Sequence, residues 1–188
     1  MIIVLGETVT GVVSGLTADP TSAHKLAVGV VCVLVGFGSW WTYFDFVGHR
    51  QPRNTRPGTV TWLLGHLPVS AAIAGVGATM PTLVTHAAEH RTASAPTWML
   101  CGSAAVLLVF TTVLMISLQD WHSAAPLLHP LAFANLAAGA AAVCIGLIRP
   151  APLVLCVLLV LTFGAPWTFA VLRRAGLDVG ASETGHRA

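Results

Sequence analysis

Charge is what this 188-residue sequence has least of: only 9% of its residues are Asp, Glu, Lys or Arg. A soluble domain normally carries about a quarter, so a large soluble domain is excluded. What charge remains is lopsided, with eight Arg against the single Lys25 and a formal net charge of +2. No basic cluster with interleaved aromatic residues goes with it, which excludes nucleic acid as a partner. Cysteine is sparse and unpatterned. Cys32, Cys101, Cys144 and Cys156 stand singly inside apolar runs without CxxC spacing, which argues against a disulfide framework or zinc ribbon and for small buried hydrophobes. No signal peptide is expected, since Met1 leads at once into apolar residues with neither a basic stretch nor a cleavage site.

Apolar residues fill the space that charge leaves. They make up 55% of the chain, and mean hydropathy is +0.80. The apolar runs approach or reach the roughly 20 residues that cross a hydrocarbon core as a helix. They are continuous rather than alternating, so helices are expected and a barrel is not. The reading is an all-α integral membrane helical bundle with about six transmembrane helices, at about 1–16, 26–47, 60–79, 98–118, 131–148 and 152–171. These form one domain over 1–175, followed by a polar tail at 176–188 that is expected to be disordered. Pro and charged residues punctuate the breaks, as at Ala18-Asp19-Pro20, Pro96 and Arg149-Pro150. The first run, at roughly 24 Å, is shorter than the roughly 30 Å core, so its helix is expected to start upstream of Met1. Arg50, Arg53, Arg56, Arg173, Arg174 and Arg187 fall on one side, termed side A, against Lys25, Arg91 and Arg149 on side B. The excess marks side A as cytoplasmic, with both termini inside.

Three ionisable side chains fall inside these runs: Glu7, Asp45 and His66. Glu7 shares a helical face with Thr10, Gly11 and Ser14, a small and polar stripe of the kind that faces other helices in lipid. Gly38, Trp41, Thr42 and Asp45 share a face of the second run, and Trp62, His66 and Ser70 a face of the third. Asn135 joins Gly139, Ala142 and Gly146 on the fifth. By helix rise, Asp45 lies roughly 3 Å, Asn135 about 6 Å and His66 roughly 9 Å from side A, with Glu7 about 14 Å from side B. The expectation is a buried polar site of Glu7, Asp45, His66 and Asn135, with Gly11, Ser14 and Trp41 in helix packing. An ionised group at the bilayer centre costs on the order of 3 kcal/mol or more, so Glu7 is expected to stay protonated or to pair with a cation such as protonated His66. Asp45, close to the surface, is expected to be solvated or paired with Arg50.

His86-Ala-Ala-Glu89-His90 spells H-x-x-E-H, a zinc-hydrolase pattern. It lies in a short loop between Pro81 and Pro96, with the later acids on the opposite side, so a solvated loop is expected and no metal or cofactor is assigned. His122 and His129 read as surface histidines. Tyr43 and the tryptophans lie near span ends, where aromatic belts anchor helices.

Three stretches carry a resemblance: Ile3-Val-Leu-Gly-Glu-Thr-Val, Trp40-Trp-Thr-Tyr-Phe-Asp45 and His66-Leu-Pro68. In this order they resemble the LGES/LGET, WW-x-YFD and YxHLP-like segments of the bacterial low temperature requirement A (LtrA) family. The likeness is strongest over 1–70 and fades to hydropathy beyond. It implies a multi-spanning protein of the bacterial plasma membrane whose biochemical activity is poorly defined. Family members usually have further spans before the first segment, so the chain resembles the C-terminal half, and a homodimer or an N-terminal half is the implied partner beside the lipid bilayer. Thr61 to Gly65 replace the family's aromatic lead-in to the third segment. Two functions compete: a transporter-like bundle using Glu7 and His66, or a non-catalytic scaffold or stress-related component in which buried polar residues only hold helices together. An enzyme ranks last, because no nucleophile–base pair shares a depth.

Overall fold

The structure, a computed structural model, describes the backbone of residues 2–17 and 22–185, and their side chains except those of 2–5, 7 and 174–185. The Glu7 carboxyl therefore lies outside the described residues. In hydrocarbon every peptide group must find its partner within the chain, which a continuous apolar run does by coiling into a helix. The elements are α1 (Ile2–Thr17), α2 (Ala23–Tyr43, prolonged by a π-helical turn at Phe44–Gly48), α3 (Arg56–Thr85), α4 (Ser94–Ile116), α5 (Ala125–Ile148) and α6 (Pro152–Gly185). Among the described residues there is no strand, only an isolated bridge between Pro52 and Leu118.

Among the described residues, five helices are long and apolar enough to cross a membrane: Ala23–Gly48, Arg56–Thr85, Ser94–Ile116, Ala125–Ile148 and Pro152–Arg173. The expected sixth, α1, has 16 residues and stays below spanning length. At the other end, α6 is continuous to Gly185, so the backbone over 176–185 is helical where disorder was expected. No proline follows Pro166 to interrupt the ladder of hydrogen bonds. Residues 186–188 lie outside the described residues.

Helix ends follow local chemistry. Ser22 Oγ accepts the Lys25 N–H at 3.2 Å, and Thr55 Oγ1 accepts that of Gly58 at 3.3 Å, each satisfying a donor the first turn cannot pair. At the end of α5, Arg149 takes a left-handed conformation (φ 51°) ahead of Pro150.

The helices alternate in direction and pack around a closed circuit, α1–α3–α4–α5–α6–α2, with α2 also touching α3 and α4. Two polar ends result, as the sequence predicts. On side B, His24 Nε2 meets the Ala87 carbonyl at 2.9 Å, and Thr92 donates its hydroxyl to the Pro150 carbonyl at 2.7 Å. On side A, the Arg53 N–H donates to the Ser117 carbonyl at 2.9 Å and the Gln119 N–H to that of Gln51 at 3.1 Å, joining the α2–α3 and α4–α5 connections.

Helix α1 is seated through small residues. Thr8 and Gly15 are buried and Gly11 is half-buried, whereas Thr10 and Ser14 are exposed. A Cβ on Gly36 of α2 would lie 2.5 Å from Thr8 Cγ2, and one on Gly77 of α3 would lie 3.1 Å from Thr8 Oγ1. On Gly15 it would lie 2.8 Å from Val84 Cβ, and on Gly11 3.2 Å from the Pro81 ring. The expected stripe of Thr10, Gly11 and Ser14 is thus rotated: Ser14 is not a packing residue, and Thr8 and Gly15 take that role. Thr10 needs no neighbour, because its hydroxyl donates to the Gly6 carbonyl of its own helix at 3.0 Å. Trp41 likewise faces outward, against Phe37 and Trp40, because the buried face of α2 runs through Val28, Cys32, Val35, Ser39 and Thr42.

Replacing Gly15 by Leu drives a branched side chain into Val84 and the Pro81 carbonyl. The expected loss is about 1–3 kcal/mol, read as a lower unfolding midpoint in detergent. Ser14→Leu, one residue away and exposed, should leave the midpoint unchanged.

Candidate functional site

His66 is the ionisable side chain that the fold treats most specifically. Its Nδ1 stands 2.5 Å from the Trp62 carbonyl oxygen, one turn back on α3, and its Nε2 stands 2.8 Å from the Tyr43 hydroxyl on α2. A carbonyl only accepts, so Nδ1 carries the proton in the neutral ring, and the Tyr43 O–H donates to Nε2. When the ring protonates, Nε2–H donates to Tyr43 instead, so both charge states keep the same two partners. The Trp62 and Tyr43 rings meet the imidazole edge-on at centroid distances of 4.9 and 5.7 Å, which fixes its plane. Tyr43 is buried and His66 half-buried. Tyr43 is the only tyrosine in the chain, and sequence reasoning assigned it to the aromatic belt. The WW-x-YFD segment was the available signal, because it places a hydroxyl on the turn of α2 that faces α3.

Depth follows from helix register. Gly65 packs on Leu114 and Gly75 near Ser103, while Gly139 packs on Leu108 and Val109 and Gly146 on Trp98 and Cys101. These contacts bring His66, Thr111 and Asn135 to within about one helical turn of a common level. Asn135 is fully buried, as is Thr111. Among the described residues the Asn135 Nδ2 reaches only the Met115 thioether sulfur, Sδ, at 3.6 Å, a weak acceptor. Its Oδ1 and the Thr111 Oγ1 are buried without a hydrogen-bond partner. No hydrogen bond among the described residues joins Asn135 to His66, so the two share a layer rather than a contact.

The remaining expected members are placed differently. Asp45 sits half-exposed in the π-helical turn, and it does not pair with Arg50. Arg50 Nη1 bonds Asp120 Oδ2 of the α4–α5 connection at 2.6 Å, because the chain leaving the π-helical turn is drawn into the bridge at Pro52 and Leu118. Arg53 supports that junction, donating from Nε to the Leu118 carbonyl at 3.3 Å and from Nη2 to that of Ile116 at 3.1 Å. Thr8, next to Glu7 in α1, packs beside Gly77, which is eleven residues along α3 from His66. That is roughly 16 Å of helix, about twice the step the sequence reading allowed between the levels of Glu7 and His66. His86, Glu89 and His90 are exposed, His86 Nδ1 donating to the Thr82 carbonyl at 2.9 Å. Among the described residues, no three His, Cys, Asp or Glu side chains converge on a metal position.

The unpaired amide of Asn135 sets up a test of the layer. Asn135→Leu, with the same side-chain branching and heavy-atom count but no polar atoms, should be neutral or stabilising in thermal unfolding, since it removes a buried acceptor that lacks a donor. Asn135→Ala should cost about 2 kcal/mol or more by leaving a cavity. Tyr43→Phe should cost about 0.6–1.7 kcal/mol, the range for an interhelical hydrogen bond in a membrane.

Comparison with known proteins supplies the family. No curated protein and no solved structure matches the chain. Residues 1–162 match the family described as bacterial low temperature requirement A protein, an interval that includes α1 to α5, the Tyr43–His66 pair and Asn135. The chain belongs to the bacterial low temperature requirement A protein family.

Proposed function

We propose that this protein is a non-enzymatic, transporter-like bundle of the bacterial plasma membrane in which the Tyr43–His66 pair handles a proton. The observation that carries this reading is the 2.8 Å contact between Tyr43 Oη and His66 Nε2. Each charge state of the imidazole has both its nitrogens matched. A ring that gains and loses a proton without losing partners suits a relay, whereas a purely structural bond could use any hydroxyl and carbonyl. Ionisable groups inside membrane spans mark ion or substrate pathways by default. The arginine excess on side A supports a cytoplasmic side A, which would put the pair toward the cytoplasmic half. On this reading a second copy or further spans complete the path toward side B, where the ionisable side chains of α2, His24 and the buried Lys25, stand at the helix end.

The scaffold reading draws on a different observation. Many buried hydroxyls close on their own helix: Ser39 on the Gly36 carbonyl, Thr97 on that of Ala93, Thr112 on that of Leu108 and Thr162 on that of Leu158. On that reading Tyr43–His66 is one more tie between helices.

Proton flux into proteoliposomes carrying a pH-sensitive dye separates the two. The relay reading expects His66→Gln to reduce flux by about tenfold or more, as the loss of a positioned proton-transfer group does, with Tyr43→Phe intermediate and both variants folded. Flux in the parent protein equal to that of empty liposomes, or unchanged in His66→Gln, would leave the scaffold reading standing.

A further inference from the structure

The seam between α2 and α6 holds chemistry that the polar layer does not use. Cys32 Sγ and Cys156 Sγ are 3.6 Å apart, and both residues are fully buried. All four cysteines are free, with Cys101 also buried and Cys144 exposed. The two helices run parallel, with Cys32 opposite Cys156 and Gly38 packed on Phe163. Toward side A from the thiols, the seam opens into an apolar groove of about 380 Å³ flanked by Phe37, Gly38, Trp41, Phe163, Gly164 and Trp167. Val160, also in its wall, lies one turn from Cys156. Phe37, Trp41 and Trp167 are exposed, so in a bilayer the groove opens to lipid rather than to water.

We propose that Cys32 and Cys156 form a membrane-buried dithiol that a lipid-soluble quinone, seated in the α2–α6 groove, oxidises to a disulfide. Water-soluble oxidants have no route to sulfurs buried in an apolar seam, so the oxidant must dissolve in hydrocarbon and accept two electrons. A quinone does both, and its flat ring suits a groove walled by aromatic side chains. In the reaction both S–H bonds break and one S–S bond forms, and the two electrons and two protons reduce the quinone to its quinol. The sulfurs need only close from 3.6 Å to about 2.05 Å. The product ties α2, which carries Tyr43, covalently to α6. This inference rests on neither functional reading above.

The test uses the full chain in nanodiscs with Cys144→Ser, which removes the exposed thiol. The protein is treated without oxygen with decylubiquinone or, separately, with diamide, an oxidant that crosses membranes. Both should yield a Cys32–Cys156 cross-linked peptide and a protein lighter by two hydrogens, with quinol formed in equimolar amount in the quinone arm. Gly164→Phe fills the groove at a position where an added Cβ meets nothing within 4 Å. It should slow the quinone reaction by about tenfold or more through steric exclusion while leaving the diamide yield unchanged. Trp41→Ala, which opens the groove wall, should also slow only the quinone reaction. Absence of the disulfide with both oxidants, or a disulfide that uses Cys101, overturns the dithiol. A quinone rate indifferent to both groove variants overturns the seat.

Discussion

Hydrocarbon gives a peptide group no partner except another peptide group, and the architecture follows from that constraint. Each apolar run coils so that its amides and carbonyls meet within the segment, and side-chain hydroxyls follow the same rule by donating one turn back, as at Thr97, Thr112 and Thr162. Lipid tails are as apolar as leucine, so helices gain nothing by hiding apolar surface from them, and association depends on close fit. Glycine supplies that fit. Thr8 sits between Gly36 and Gly77, and Gly15 sits against Val84, so the shortest helix is held by backbone proximity rather than by length.

Polar side chains are left to the places where water or another polar group can meet them. At the side A end, Arg50, Arg53 and Asp120 bind two connections into one structure. Just inside that end, Tyr43 and His66 satisfy each other between α2 and α3. The π-helical turn at Phe44–Gly48 lies between the two features. Such turns widen a helix by one residue and often occur at functional sites. Here it begins directly after Tyr43, whose hydroxyl is directed into the bundle, and it contains the half-exposed Asp45.

How much of this could be read in advance depended on the kind of information each feature requires. The spans from α2 to α6 were visible because length, hydropathy and Pro or Arg punctuation are local properties. His66 and Asn135 were visible as polar residues in apolar runs, for which burial or function are the available explanations. Tyr43 was not, since a tyrosine near a span end is equally at home in an aromatic belt, and only the rotation of α2 against α3 chooses. Ser14 and Trp41 failed for the same reason. A stripe defined by residue type can be turned by one position when a glycine fits a neighbouring backbone better than a hydroxyl does. Cys32 and Cys156, 124 residues apart, carry no mutual signal in a single sequence.

By itself the sequence determined the class of solvent, the helical state, the two polar ends and the family likeness, because each follows from composition or from residues a few positions apart. Only the tertiary structure decided which face of each helix is buried, that Arg50 meets Asp120 rather than Asp45, and that the tyrosine meets the histidine. Those choices depend on the azimuth and register of one helix against another. In a medium that rewards fit more than burial, such relations are set by contacts between distant residues and leave no periodic trace along the chain.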